Sequence, residues 1–539
     1  MKRSLVMVSS LLLSLPCAAA PSAKTTAKAN AKPAAKAAPQ NAAAKPAVTE
    51  AKAPAPATPD PWANKKDLFV APVIKPSTKV NLGRVERYKL PNGMSVIVVP
   101  RHQVPAIDVS LLVRGAGDTA NPLDKSGLAQ FTASMLRKGT VKRTSDQIAQ
   151  AIDFVGGELN ASAEDDGSLV NCHARAKDLD LCLDLVSDVV EHPTFPEGEM
   201  GEIRDQMMAG VEGAKDSPEA LASEHGANLF YGDEDPRGRP ASKHSIGAID
   251  RAQLVAFHDS WYAPNNTVVA ISGDVDSAKL RSALKKWFGP WKKHPVPAES
   301  KRALPVASGL HVRIVDKPDA TQSAITVMGP GIAHSSPDYF AVRLMNYALG
   351  GGAFSSRLMK VVRSEGGKTY GARSSFDAGR DPGPFTASTF TRTEETGSTL
   401  ALVMGEIEKM QKAGPTASEL DAAKGNLIGG NGLKLETGGD VARSLLIAEL
   451  DGLPANFVEK YPAGLKAVTL KQAIAAASAH LHPTALVIVG KADQIKPMLA
   501  KAKLDVVGPL EVVSYTEPVS KAERDAIAAE RKASATVSP

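Results

Sequence analysis

The sequence predicts an α/β protein built as two similar halves, and three observations carry that expectation. The first is an internal repeat. Pro105-Ala106-Ile107-Asp108-Val109-Ser110-Leu111-Leu112-Val113 leads into Gly115, Gly117 and Pro122 and then a helix-like segment. Ala320-Thr321-Gln322-Ser323-Ala324-Ile325-Thr326-Val327-Met328 leads into Gly329, Gly331 and Pro337 and then another. Both read as strand, Gly-rich turn, Pro-marked helix entry and helix. The second is a matching end to each half. Thr267-Val268-Val269-Ala270-Ile271-Ser272-Gly273 and Ala485-Leu486-Val487-Ile488-Val489-Gly490 are continuous apolar strands, each followed by an amphipathic helix, near Ser277 to Phe288 and near Ala492 to Ala502. The third is a hairpin signature at Asn92-Gly93, between Tyr88-Lys89-Leu90 and Met94-Ser95-Val96-Ile97-Val98-Val99.

The boundaries follow from composition. Met1-Lys2-Arg3, the apolar run from Leu5 to Pro16 and Cys17-Ala18-Ala19-Ala20 read as a signal segment over 1–20, too short to span a bilayer. Pro16 stands where a small residue would precede a lipid-bearing cysteine, which disfavours a lipoprotein through Cys17. The expectation is a periplasmic or secreted protein with no transmembrane segment. Residues 21–80 are an Ala/Lys/Pro-rich linker, unable to bury enough surface to offset chain entropy in its earlier part. A first domain is expected over 81–295, a Pro-containing linker over 296–309, a second domain over 310–515 and a charged, Ala-rich tail with helical character over 516–539.

The formal net charge of +6 is concentrated in linker lysines such as Lys24, Lys28, Lys32 and Lys36, so the folded part is nearly balanced and nothing points to a nucleic-acid partner. Cys172 and Cys182 would remain after processing; a disulfide and two buried thiols are both compatible with the sequence. No Gly-x-Ser-x-Gly elbow or phosphate-binding Gly-Lys-Ser/Thr loop is present. Ser282-Ala283-Leu284-Lys285 lacks the companion motifs of a Ser-x-x-Lys nucleophile, and His480-Leu481-His482 lacks further metal ligands in sequence.

Gly127-Leu128-Ala129-Gln130-Phe131-Thr132-Ala133-Ser134-Met135-Leu136-Arg137-Lys138-Gly139-Thr140 resembles the signature helix of the pitrilysin/insulinase (M16) zinc peptidases. That family places His-x-x-Glu-His here. Two imidazoles at i, i+4 share a helical face and grip one zinc ion, and the glutamate takes a proton from metal-bound water. The flanks stand nearly unaltered, but the functional positions read Gln130, Ala133 and Ser134. The family's third ligand, a glutamate before an acidic-x-Pro turn, aligns with Ala209 or Gly210 ahead of Asp216-Ser217-Pro218; Glu212 is nearby but out of register. The resemblance therefore implies no catalytic residue and no metal in this chain.

Gly350-Gly351-Gly352-Ala353-Phe354-Ser355-Ser356-Arg357-Leu358, continuing to Lys368-Thr369-Tyr370, is similar to the family's second signature. There an arginine and a tyrosine seven residues apart hold the substrate; Arg363 and Tyr370 match them. The local pattern predicts a helix from Ser355 to Arg363, an end at Gly366-Gly367 and a strand beginning at Tyr370. The glycine run reads as a tight turn rather than a phosphate cradle.

The resemblance covers about residues 84–510. It implies an α+β clamshell with a mainly antiparallel sheet flanked by helices in each half, of the Arg/Tyr-bearing type found in the processing-peptidase-like M16B group. It also implies a zinc-bearing M16 homologue as partner, carrying the metal, and an unfolded peptide as substrate. Two alternatives stay open at this stage: a structural or binding scaffold of the same fold, and an autonomous zinc endopeptidase with unconventional ligands.

Overall fold

The apolar strands that close the two halves, Thr267–Gly273 and Ala485–Gly490, lie inside two six-stranded sheets. The computed structural model describes residues 78–298, 301–305, 309–501 and 510–537. The signal segment, Cys17 and nearly all of the predicted linker lie outside the described residues. The first sheet takes β1 (Glu86–Lys89), β2 (Ser95–Pro100), β3 (Ala106–Arg114), β4 (Glu158–Glu164), β5 (Gly167–Arg175) and β6 (Thr267–Gly273), in the order β1-β2-β6-β3-β5-β4. The second takes β7 (His311–Asp316), β8 (Gln322–Pro330), β9 (Ala372–Phe376), β10 (Pro384–Arg392), β11 (Ala485–Gly490) and β12 (Leu510–Ser514), in the order β12-β7-β11-β8-β10-β9.

The repeat seen in the sequence is the β3/β8 correspondence. β3 pairs antiparallel with β5 from Ala106↔Arg175 to Arg114↔Gly167, and β8 pairs with β10 from Gln322↔Arg392 to Pro330↔Pro384. Both sheets are mainly antiparallel, with parallel pairs only where a long crossover returns the chain, β2 to β6 and β7 to β11, and where β12 joins β7. The outer strands break the symmetry. β1 enters through the Asn92-Gly93 hairpin, antiparallel to β2, whereas β12 arrives from the far end of the chain.

Every residue of β6 and β11 is buried because helices cover both faces of each sheet. Val96, Val98, Val109 and Ile271 pack on the main core of the first half, while Ile97, Val99, Leu112 and Val268 point the other way. That second face is covered by Val441, Ala442, Leu445 and Leu446 of the helix Gly438–Leu450, which comes from the second half of the chain. The exchange is reciprocal. The helix Pro218–Tyr231, from the first half, lays Leu221 and Ala222 on Val315, Ala324, Val487 and Val489 of the second sheet. Each half thus buries one apolar sheet face under a helix of the other, and separating them would expose both.

Polar contacts follow the same seams. Arg114 Nη2 donates to Glu449 Oε1 at 2.8 Å. Arg313, buried under the Pro218–Tyr231 helix, donates to Asn228 Oδ1 and to Glu511 Oε2, both at 2.8 Å. The C-terminal stretch forms the helix Lys521–Val537. Its first turn is anchored by Ala522 N donating to Asp233 Oδ2 at 2.9 Å and by Arg524 donating to Glu511 at 3.2 Å. Cys172 on β5 and Cys182 on the helix Leu179–Glu191 form a buried disulfide, which resolves the alternative left by the sequence. None of the described helices is long and apolar enough to cross a membrane.

Candidate functional site

The signature segment folds as the helix Leu128–Met135. It starts on Gly127, whose φ of 96° is the left-handed region that glycine tolerates. A Cβ there would also crowd Ala241 at 3.1 Å. Asn121 Oδ1 accepts from Ala129 N at 2.8 Å and satisfies a free donor of the first turn. Asn121 in turn donates to Asp118 Oδ1 at 3.0 Å; burial lifts the Asp118 carboxyl to about 6 despite that bond. This support for the helix start escaped the sequence reading, although Asn121-Pro122 is a turn signal that could have flagged it.

Gln130 and Ser134 lie one turn apart on the same face, and Gln130 Nε2 donates to Ser134 Oγ at 3.0 Å. Gln130 Oε1 accepts from Ala163 N of edge strand β4 at 3.0 Å. Ala133 is fully buried in the core. The spacing that separates Ala106 from Gln322 also separates Gln130 from Asn346, and Asn346 Nδ2 donates to Ser374 O of edge strand β9 at 3.1 Å. In both halves, therefore, an amide side chain ties the helix after the Gly-rich turn to the sheet edge.

Ala209 and Gly210 lie exposed on the helix Glu197–Ala214, and Gly210 has open space where a side chain would be. Glu212, further along, is exposed and held at the surface by Lys243 at 2.7 Å and Lys215 at 3.4 Å. Its hydrogen bond with Lys243 is the main reason its carboxyl lies below the usual range. The donor set at the zinc positions is thus an amide, a methyl, a hydroxyl and an exposed Ala-Gly pair. It does not fit a zinc site, which needs imidazole, thiolate or carboxylate. Among the described residues no group of three or more His, Cys, Asp or Glu side chains is arranged to hold a metal ion. His480 bonds Asp338 at 3.0 Å while His482 bonds Ser478 O at 2.9 Å, so that pair has separate structural partners.

The second signature departs from expectation in detail. Gly350 and Gly351 finish a π-helical turn, Tyr347–Gly351, instead of forming a tight turn. They are needed for close approach: a Cβ on Gly350 would sit 2.4 Å from Ser374 N, and one on Gly352 would sit 2.8 Å from the Tyr347 ring. Ser355 closes the 3₁₀ turn Ala353–Ser355 and Ser356 follows it, so the expected helix begins after both. Their hydroxyls donate back to Gly352 O at 2.7 Å and Ala353 O at 2.8 Å, holding a 3₁₀ turn. The segment Met359–Glu365 that carries Arg363 is π-helical, a form that recurs at functional sites. Tyr370 lies before the strand, which begins at Ala372, because Thr369 Oγ1 bonds both Gly371 N and Gly371 O at 3.0 Å and makes a local turn.

Arg363 and Tyr370 are both available. Among the described residues the Arg363 side chain makes no hydrogen bond or ion pair, and Tyr370 is 79% exposed. The Arg363 guanidinium lies 4.7 Å from the centroid of the Phe354 ring. Phe354 is the residue that the motif analysis passed over. Its exposure has no sequence signal beyond its place two residues after a glycine run.

Two interlocked halves that share a five-strand topology, with a signature helix packed beside an edge strand, define a peptidase scaffold of the M16 type. Residues 96–235 match the family described as Insulinase (Peptidase family M16), and residues 248–427 match the Peptidase M16 inactive domain. An uncharacterized zinc protease of Mycobacterium bovis is 32% identical over 359 residues, covering 65% of this chain and 80% of that protein. The crystal structure of a peptidase M16 inactive domain from Pseudomonas fluorescens is 30% identical with a TM-score of 0.71, covering 76% of this chain and 98% of that one. A protease from Helicobacter pylori, 21% identical with a TM-score of 0.70 over 75% of this chain and 99% of that one, shares the fold. The chain belongs to the insulinase (M16) peptidase family.

Proposed function

We propose that this chain is an exported, non-catalytic M16 subunit that pairs with a zinc-bearing homologue and helps to hold an unfolded peptide for hydrolysis. The observation that carries the reading is a contrast within one molecule. The zinc positions are closed by the Gln130–Ser134 hydrogen bond and the buried Ala133, while the side chains of Arg363 and Tyr370 have no hydrogen-bond partner among the described residues. A guanidinium and a phenol can donate to a peptide carbonyl or to an oxyanion that a partner's metal site generates. Zinc and the general base would then come from the partner, and this chain would supply binding and orientation. The resemblance to the Arg/Tyr-bearing M16B type supports the same division. The N-terminal signal-like segment and the Cys172–Cys182 disulfide support a periplasmic or secreted location.

The test is purification of the untagged complex from the native host. The reading expects a similar-sized M16 chain with an intact His-x-x-Glu-His to co-elute. A chain that stays alone, at concentrations where it is abundant, would count for the scaffold role instead. Relatives such as the M. bovis protein, an uncharacterized zinc protease, favour a second reading, an autonomous zinc protease. Metal analysis of the purified chain separates the two, since that reading requires near-stoichiometric zinc.

A further inference from the structure

We infer that Phe354 is a positioning and selectivity residue: one face of its ring aims Arg363, and the other takes a large apolar side chain of the bound peptide. The inference rests on the reading of Arg363 and Tyr370 as peptide-holding residues. Three observations carry it.

The first is exposure. Phe354 is 68% exposed although Leu349 and Leu358, on either side of it in the chain, are buried in the core, and Tyr370, 79% exposed, belongs to the same signature. The second is backbone strain. Ala353 has φ 47°, one of two non-glycine residues with positive φ among the described residues. Such a conformation is unfavourable for an L residue and persists where surrounding structure imposes it. Here the Ser355 and Ser356 hydroxyl bonds to Gly352 O and Ala353 O brace the turn around Ala353, and Phe354, the next residue, is exposed. The third is the partner. The Phe354 ring is the one contact of the Arg363 guanidinium among the described interactions, at 4.7 Å. An arginine stacked on an aromatic ring keeps its donors directed outward without spending them on an acid. The ligand chemistry that fits an unspent guanidinium, a free phenol and an open aromatic face is a peptide with carbonyl acceptors and a bulky apolar side chain.

The experiment measures fluorescence anisotropy with the full chain and two fluorescein-labelled extended peptides of equal length and charge. One carries Leu and Phe, the other Gly and Ser in their places. The wild type should prefer the apolar peptide by about tenfold, the scale expected when one large side chain leaves water. Phe354→Ala should abolish that preference and weaken the Gly/Ser peptide about threefold, the scale of an exposed cation–π contact. Phe354→Tyr should retain both. In an Arg363→Ala background, Phe354→Ala should weaken the Gly/Ser peptide no further, because the ring then has no guanidinium to aim. An additive loss there would make Phe354 an independent contact and overturn the positioning role. If Arg363→Ala and Tyr370→Ala weaken binding while Phe354→Ala binds both peptides like the wild type, the Phe354 inference alone fails. If the wild type binds neither peptide, or Arg363→Ala and Tyr370→Ala change nothing, the peptide-holding reading beneath it fails. Thermal melting of each variant confirms folding; Phe354 is at the surface, so its substitutions should leave the melting point near wild type.

Discussion

Gln130 and Ser134 are joined by a 3.0 Å hydrogen bond across one helical turn, at the two positions where a zinc peptidase of this family would carry histidines. The pair is engaged twice over, since Gln130 also accepts the Ala163 backbone N–H of β4. Gln130 therefore has a structural task. Replacing it with Ala removes the acceptor for a strand backbone donor at a half-buried place, which should cost about 1 kcal/mol. Urea unfolding with circular dichroism detection checks this. No loss, or a gain, would mean that water satisfies the Ala163 N–H equally well.

The reciprocal crossing of the two helices makes a prediction about cooperativity. Leu445 on the helix Gly438–Leu450 and Leu221 on the helix Pro218–Tyr231 are both buried against the sheet of the opposite half. Leu445→Ala and Leu221→Ala should each destabilise by about 2–5 kcal/mol. Because each truncation loosens a seam shared by both halves, each should lower a single calorimetric transition rather than split it. Two resolved transitions in the wild type would contradict the interlocked packing.

The predicted repeat and the central strands were legible because their cause is local. Thr267–Gly273 and Ala485–Gly490 read as apolar runs whatever covers them, and the glycines and prolines after β3 and β8 punctuate the chain in the same way. The i, i+4 relation of Gln130 and Ser134 was legible for the same reason. The helix crossing was not. An amphipathic helix declares that it has an apolar face, not which sheet will receive it, and that choice is made by long-range packing. The second signature shows a finer failure. Its motif placed Arg363 and Tyr370, but the Ser355, Ser356 and Thr369 hydroxyls bond their own backbone, shift the helix start and delay the strand. Phe354 was invisible because an apolar residue after glycines looks like any core residue until the φ of Ala353 is known.

His225 gives a pH prediction with a definite sign. It is fully buried, and burial, with the Arg313 and Arg524 guanidiniums adding to it, holds its imidazole down at about 3. An unfolded histidine protonates near 6.5. The stability contributed by the neutral ring is therefore complete above the unfolded value and is lost as pH falls from there towards 3. His225→Gln should flatten this slope, so the stability difference between wild type and variant should shift by up to about 1 kcal/mol per pH unit between pH 6 and 4. Glu191 works in the opposite direction. Burial lifts its carboxyl to about 8, so its contribution is lost as pH rises through that range. The wild-type profile alone therefore mixes the two; the paired comparison isolates His225. A difference that is constant with pH would mean that His225 is protonated in the folded protein.

The Cys172–Cys182 disulfide closes a loop with a sequence separation of 10 between β5 and the helix Leu179–Glu191. The chain-entropy account gives it about 2–3 kcal/mol. Cys172→Ser with Cys182→Ser should lower the melting temperature accordingly. Peptide mapping without reductant should recover the two segments linked, and recovery of free thiols at both positions would contradict the bond.

The central claim is that this chain binds peptide but takes its zinc chemistry from a partner. The most direct measurement is a peptide-hydrolysis assay on the purified chain, on its zinc-bearing M16 homologue from the same host, and on their mixture. The account predicts no hydrolysis by the chain alone, activity in the mixture above that of the homologue alone, and loss of that gain with Arg363→Ala plus Tyr370→Ala. Hydrolysis by the chain alone that chelators abolish and zinc restores would contradict it.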